Sequence, residues 1–206
     1  MLPATVIGSV TVESLSEPDA IATVIPDLAR LRVGVFREFP YLYDGSAAYE
    51  ADYLKLYART PGAVVVAARD AAEGGRIVGA ATALPLAAEH AELLAAFRAA
   101  RLPVERLYYC AESVLEPAWR GRGIGHAFFD HREARARALG YRDACFLSVI
   151  RPDDHPRRPR DYRPHDAFWH KRGYAPVPGF AASFTWRDLD ESRASPKAMT
   201  LWRRAL

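Results

Sequence analysis

Cysteine is scarce in this chain, with two residues, Cys110 and Cys145, in a length of 206. Both fall inside apolar, strand-like runs, so buried free thiols are expected, in keeping with a reducing, cytoplasmic setting. Neither run offers the base and electropositive surroundings that a nucleophilic thiol needs. Charge of one sign is scarce too. A net charge of +3 is too small to imply a nucleic-acid or membrane surface as partner. No apolar run approaches the roughly 18 residues of a membrane helix. The opening MLPATVIGSVTVESL lacks a basic start, a long apolar segment and a cleavage site, and reads as a first strand instead of a signal peptide. There is no H-E-x-x-H, and His155, His165 and His170 lack metal-ligand spacing on one helical face, so no metal is expected. Repeats, low-complexity linkers and composition breaks are absent, which leaves one domain over residues 1–206.

What is present reads as alternating helices and strands. Gly8 to Leu15 alternates as a strand, and Pro18 and Asp19 open a helix to about Phe36, with Ile21, Val24, Ile25, Leu28, Leu31 and Val35 as its apolar stripe. An aromatic loop, Phe36 to Gly45, leads to a second helix from about Ala47 to Arg59, ended by Thr60-Pro61-Gly62. Strands at Ala63 to Arg69 and Arg76 to Leu84 form a hairpin over Gly74-Gly75, followed by a short helix from Ala87 to Ala100. Leu107 to Leu115 is a strand, a helical pattern then runs to Gly140, and Asp143 to Ile150 is a buried strand. Arg151 to Arg163, dense in Pro, Arg, His and Asp, is a loop. A helix from His165 to Arg172 precedes a hairpin of Tyr174 to Val177 with Ala181 to Asp188, and Ser192 to Leu206 carries no strong pattern.

The most informative stretch is Tyr108 to Gly140. Strand, Pro117 turn, glycine-rich loop and helix N-terminus follow in that order, which makes an anion-binding device. A phosphate-loop nucleotidase requires a Lys and a hydroxyl, but no Lys lies near, and Ala127 and Phe128 stand where the hydroxyl belongs. The dinucleotide fingerprint requires a third glycine where His126 stands. An unrelated phosphate-ester binder could use the same turn.

Leu115-Glu116-Pro117 followed by Arg120, Gly121, Arg122, Gly123, Ile124 and Gly125 resembles the pyrophosphate loop of the GCN5-related N-acetyltransferases (GNAT). The element order resembles theirs over nearly the whole chain. The resemblance implies an α/β (α+β) fold of the GNAT-like acyl-CoA N-acyltransferase type. Its central mixed, largely antiparallel twisted sheet is flanked by helices, here with an extra helix between the third and fourth strands. It also implies acetyl-CoA as co-substrate. Backbone groups of Ser113, Val114 and Leu115 are then expected to pair with the pantetheine arm, and N–H groups from Arg120 to His126 to take the pyrophosphate. Arg120 and Arg122 add charge or are solvated loop arginines.

Glu112 is the one carboxylate of the central strand, and by alternation it shares a face with Cys110 and Val114. Burying it costs free energy unless it is paired or functional. It is a general base with a raised pKa, direct or through water, or a structural Glu bound to a bulge or an Arg. The last helix departs from the family. The Tyr that commonly protonates the leaving thiolate aligns with Trp169, while Tyr162 and His165 replace an Asn and an Ala. Tyr162 or another group substitutes as the acid, or the thiolate leaves without one. The Arg151 to Arg163 loop is a solvated connection, a lid, or a phosphate contact. For the acceptor, Phe39, Tyr41 and Tyr43 with Glu38 and Asp44 could hold an amine by cation–π and charge contacts, or pack their loop onto the core. The expected function is acetyl transfer from acetyl-CoA to a primary amine of a small molecule or polypeptide, by direct attack in a ternary complex. The alternative is a non-catalytic coenzyme A-binding sensor or scaffold. The family's frequent dimers leave a homodimer open.

Overall fold

The helix expected from Pro18 forms as α1, Pro18–Phe36, in the computed structural model, which describes residues 2–206. Pro18 occupies its first turn, where a missing N–H costs nothing, and Asp19 complements the positive end of the helix. α2, Ala47–Arg59, starts at Ser46, whose hydroxyl accepts from the Tyr49 amide at 3.3 Å. The strands are β1 Thr5–Ile7, β2 Val10–Leu15, β3 Val64–Asp70, β4 Arg76–Pro85, β5 Leu107–Leu115, β6 Asp143–Val149, β7 Ala175–Pro176, β8 Ala182–Trp186 and β9 Ser195–Ala205. The remaining α-helices among the described residues are α3 Ala91–Ala99, α4 Ile124–Ala138 and α5 Asp166–Lys171.

The strands make one mixed sheet in the order β1-β2-β3-β4-β5-β6-β9-β7, with β8 also on β9. Only the β5–β6 pair is parallel among the described residues. One face carries α1, α2 and α3 over Val65, Ala67, Leu84, Tyr109 and Leu201. The other carries α4 over Val64, Val66, Ala68, Tyr108 and Trp202. Residues 63–68 read as an unbroken apolar run because both of their faces are covered.

Three expectations change. The strand from Gly8 turns out to be the second arm of a hairpin, since Gly8 at φ 61 turns the chain between β1 and β2. The expected hairpin of Tyr174–Val177 with Ala181–Asp188 does not form: β7 and β8 lie end to end along β9. The patternless tail is that β9. Its Met199, Leu201 and Trp202 are buried, but Lys197 is buried among them and Arg203 and Arg204 follow, which hides the alternation. Those charges are paired across the fold: Arg203 with Asp143 at 3.0 Å and Arg204 with Glu133 at 2.9 Å.

His131 of α4 is buried, with Nδ1 2.7 Å from the Ser14 hydroxyl and Nε2 3.1 Å from Thr5 Oγ1. Burial lowers its pKa from the ordinary 6.5, so the folded state prefers the neutral ring. The unfolded chain binds the proton more readily, so stability is full above 6.5 and falls as pH drops through the folded-state pKa. The midpoint of thermal unfolding is therefore expected to fall on going from neutral pH toward pH 5, and by less in His131→Gln. Equal losses in both proteins would remove His131 as the cause.

Candidate active site

β5 and β6 pair only through Leu107↔Asp143, Tyr108↔Ala144 and Tyr109↔Cys145, and then separate. Beyond Tyr109 the two strands have different partners. β5 stays on β4 as far as Leu115, while β6 runs on along β9 to Val149. From Cys110 to Leu115 the β6-side backbone edge of β5 is thus without a strand partner among the described residues. Ser113, Val114 and Leu115, expected to pair with an extended ligand, lie on this edge; Ser113 is exposed and Val114 is buried. The wedge is a cavity of about 520 Å³, lined by β5, by Phe146 to Val149, and by Gly121, Gly123, Gly125 and His126.

The glycine loop fits a bound anion. Gly121 and Gly123 have φ of 74° and 93°, and a Cβ built on either meets no atom within 4 Å. Gly123 caps α4 with no side chain, so the first-turn N–H groups lack a side-chain acceptor, although two of the expected donors are engaged by backbone, the Arg120 amide with Pro117 O at 3.2 Å and the His126 amide with Gly123 O at 2.9 Å. Ile124 turns its side chain into the core and contributes its backbone here. The His126 ring packs on Phe168 at 4.8 Å. The two loop arginines diverge. Arg120 donates from Nε to Leu115 O at 2.9 Å and from both terminal nitrogens to Glu38 at 2.7 and 3.0 Å. Arg122 does not line the cavity, and its charge acts on Asp70. Glu116 is held below its usual pKa, mainly by its hydrogen bonds to Arg76, which anchors the turn before the loop to β4.

Glu112 differs from its expected placement. The β4–β5 register shifts between Thr82, opposite Glu112, and Leu84, opposite Tyr109, so Cys110 and Ala111 together oppose Ala83. This bulge reverses the alternation. Cys110 packs on the α4 face, whereas Val114 packs on the α1 face. Glu112 accordingly reaches α1, where its Oε2 forms an ion pair with Arg32 Nη1 at 2.5 Å. Arg32 Nε pairs with the buried Glu50 of α2, and the guanidinium lies over Tyr53 at 4.9 Å. Burial disfavours the Arg32 charge, and Glu112 and Glu50 more than offset it, so its pKa lies above the ordinary arginine value. On the opposite side, buried Arg132 of α4 donates to Glu112 O at 3.0 Å, tying the bulge backbone to α4.

A second cavity of about 790 Å³ lies on the α1–α2 face. Phe36, Tyr41, Ala111, Glu112 and Leu147 line both cavities, so the two meet at Glu112. The five expected acceptor residues are divided between them. Glu38 and Phe39 line the first and Tyr43 and Asp44 the second, while Tyr41 lines both. Glu38 is engaged by Arg120, and Asp44 by Arg37 and Arg187. Burial pushes Tyr41 up to about 12 and also raises Tyr43, so both phenols keep their protons near neutral pH.

Tyr162 lines the first cavity and meets Phe39 edge-on at 4.7 Å. Burial raises its pKa, so its hydroxyl remains a donor. Trp169 is packed between Phe146 and Trp202, each at 5.0 Å. Arg151 is neither solvated nor turned to a phosphate site. It donates to Pro40 O, Tyr41 O and both Asp188 oxygens, fixing the aromatic loop to the end of β8. Farther along, His155 and Tyr162 pack on Phe39, so the loop partly covers the cleft. Arg32, Tyr53, Glu89, His90, Tyr109 and Trp186 of the second cavity escaped the sequence reading. Arg32, interrupting the apolar stripe of α1, was the available signal. Among the described residues no group of three or more His, Cys, Asp or Glu could hold a metal ion. No described helix is long and apolar enough to cross a membrane.

The model of the Acetyltransferase (GNAT) family matches residues 29–160, more than half of the chain. No curated protein matches significantly in sequence. Among solved structures, a GCN5-related N-acetyltransferase from Kribbella flavida is similar with a TM-score of 0.58 at 15% identity, over 96% of this chain and 98% of that one. A GNAT-superfamily phosphinothricin acetyltransferase from Sinorhizobium meliloti, solved with AcCoA, has a TM-score of 0.55 at 18% identity over 96% and 89%. An acetyltransferase of the GNAT family from Streptococcus pneumoniae has 0.55 at 12% over 96% and 99%. At these identities the likeness is one of fold.

Proposed function

The chain belongs to the acetyltransferase (GNAT) family, and from that premise we propose that it is an N-acetyltransferase acting on a primary amine. The observation that carries this reading is the meeting of two cavities at Glu112, one beside the glycine loop and the free β5 edge, the other among aromatic and acidic side chains. Acetyl-CoA bound in the first would supply the acetyl group as a thioester. The first-turn amides of α4 would hold its pyrophosphate, and the backbone of Ser113 to Leu115 its pantetheine arm. Glu112 takes the proton that the incoming ammonium must lose before it can attack, directly or through a water. Tyr162 holds a proton on the first-cavity side for the departing thiolate. The acceptor enters from the second cavity, past Tyr41. Both cysteines are free and buried, which supports a reducing compartment such as the cytoplasm.

A non-catalytic coenzyme A-binding sensor or scaffold is the second reading. It is favoured by the engagement of Glu112 with Arg32 and by the packed Trp169 where the family commonly has its acid. Thiol release from acetyl-CoA over a panel of primary amines separates the two. Saturable release with at least one amine is the expected result. No release with any amine, with acetyl-CoA binding intact by calorimetry, would establish the binding module. Tyr162→Phe is expected to lower kcat about 10- to 100-fold with acetyl-CoA affinity retained, the low end for an acid because a thiolate leaves readily. An unchanged kcat would reduce Tyr162 to a wall of the cleft.

A further inference from the structure

The second cavity carries more carboxylate than one reacting amine can use. Asp44, Glu89, Glu92 and Glu112 line it, with Glu50 behind Arg32. The cations that line it are Arg32, Arg187 and His90. Arg32 is shared between two carboxylates, Glu50 and Glu112, and Arg187 is taken by Asp44. That local surplus of negative charge opposes the chain's net +3.

Glu89 stands out within it. It is 6% exposed, at the chain segment between β4 and α3. One oxygen, Oε2, meets His90 Nδ1 at 3.0 Å. The other, Oε1, is fully buried and has no hydrogen-bond partner among the described residues. Glu112 and Glu50 repeat the arrangement: Oε2 of each is on Arg32, and Oε1 is buried without a hydrogen-bond partner among the described residues. A buried carboxylate oxygen without a donor is costly, and an ammonium group brings three donors. Aromatic faces of Tyr43, Tyr53, Tyr109 and Trp186 line the same space and suit a cation or the methylene chain that carries one. The phenols of Tyr53 and Tyr109 are near both carboxylates and are raised by burial first and then by those charges, so they stay neutral and add no anion of their own.

We propose that the acceptor is a small diamine or polyamine, with its reacting amine at Glu112 and a second ammonium seated on Glu89 Oε1. The position of the reacting amine rests on the acetyl-transfer reading; the Glu89 subsite stands on its own geometry. A monoamine with an apolar tail leaves Glu89 without its donor, and a tail carrying a carboxylate meets like charge.

Three probes of equal chain length test this: 1,4-diaminobutane, butylamine and 4-aminobutanoate. With the full chain and saturating acetyl-CoA, kcat/KM for the diamine should exceed that for butylamine about 100-fold, with 4-aminobutanoate lowest. Glu89→Gln should bring the diamine-to-monoamine ratio close to unity, and Glu89→Asp should restore part of it. A ratio near unity in the unaltered protein, or one unchanged in Glu89→Gln, overturns the proposal. The three probes decide the question without any variant if Glu89→Gln does not fold. If no amine is acetylated, the transfer reading fails and calorimetry on the coenzyme A-saturated protein decides the subsite. Tighter binding of diamine than of monoamine sustains it, and equal affinities sink it.

Discussion

Gly123→Val should lower the affinity for acetyl-CoA by about 100-fold or more, an effect of two physical origins. Gly123 sits at φ 93, where a β-branched residue pays strain of about 1–3 kcal/mol. The new side chain also fills the space beside the first turn of α4 that a pyrophosphate needs, because a Cβ there meets no protein atom within 4 Å. Protein packing therefore does not resist the valine; only backbone strain and the ligand do. Gly74→Val separates the two. Gly74 has φ 65 and equally open surroundings, but it lies in the turn between β3 and β4, away from the cleft. Both variants should lose a similar amount of thermal stability, and Gly123→Val alone should lose coenzyme binding by calorimetry. Unchanged affinity would remove the loop from the coenzyme site.

Glu112→Gln is expected to cut kcat about 100- to 1,000-fold while acetyl-CoA affinity changes little. The amide keeps the volume and can still accept from Arg32, but it cannot take a proton. Arg32 retains Glu50 as its counter-charge, so the buried guanidinium is not left alone. The stability loss should therefore stay near about 1–3 kcal/mol, below that of stripping a buried ion of every partner. A purely structural Glu112 gives a different pattern: the same stability loss, with kcat per folded molecule intact. The ion pair to Arg32 makes this the more searching of the two experiments, because one side chain is asked both to balance a buried charge and to accept a proton.

The route by which the acceptor reaches Glu112 depends on how the aromatic loop is held. Phe39, Tyr41 and Tyr43 could be read from the chain as sticky, but their division between two cavities could not. Arg151 and Arg120 hold that loop from opposite sides, one through the backbone of Pro40 and Tyr41 and the other through Glu38. An arginine-rich loop gives no hint that the side chain of its first arginine is only 9% exposed against Asp188. Contacts between residues 37 to 111 positions apart have no local signal.

By itself the sequence determined the features whose cause is local. Pro18, Ser46, Gly62 and Gly140 punctuate helices because φ limits and end-capping act within a few residues. The β5 limits and the glycine loop before α4 were legible for the same reason: an apolar run, a proline and glycines at close spacing constrain the backbone wherever they occur. Tertiary structure alone decided the rest. The direction of Glu112 depends on one extra residue in β5 opposite Ala83, and a bulge shows itself only in the pairing of two strands. The pairing of Glu112 with Arg32, and of Arg32 with Glu50, joins a strand to two helices. β9 was obscure because its charged residues find partners on α4, β6 and the turn after β8, so its strand character is fixed by neighbours and not by its own alternation. Glu89 fell within the helix expected from Ala87, but α3 starts only at Ala91, and folding buried one of its oxygens without a donor among the described residues.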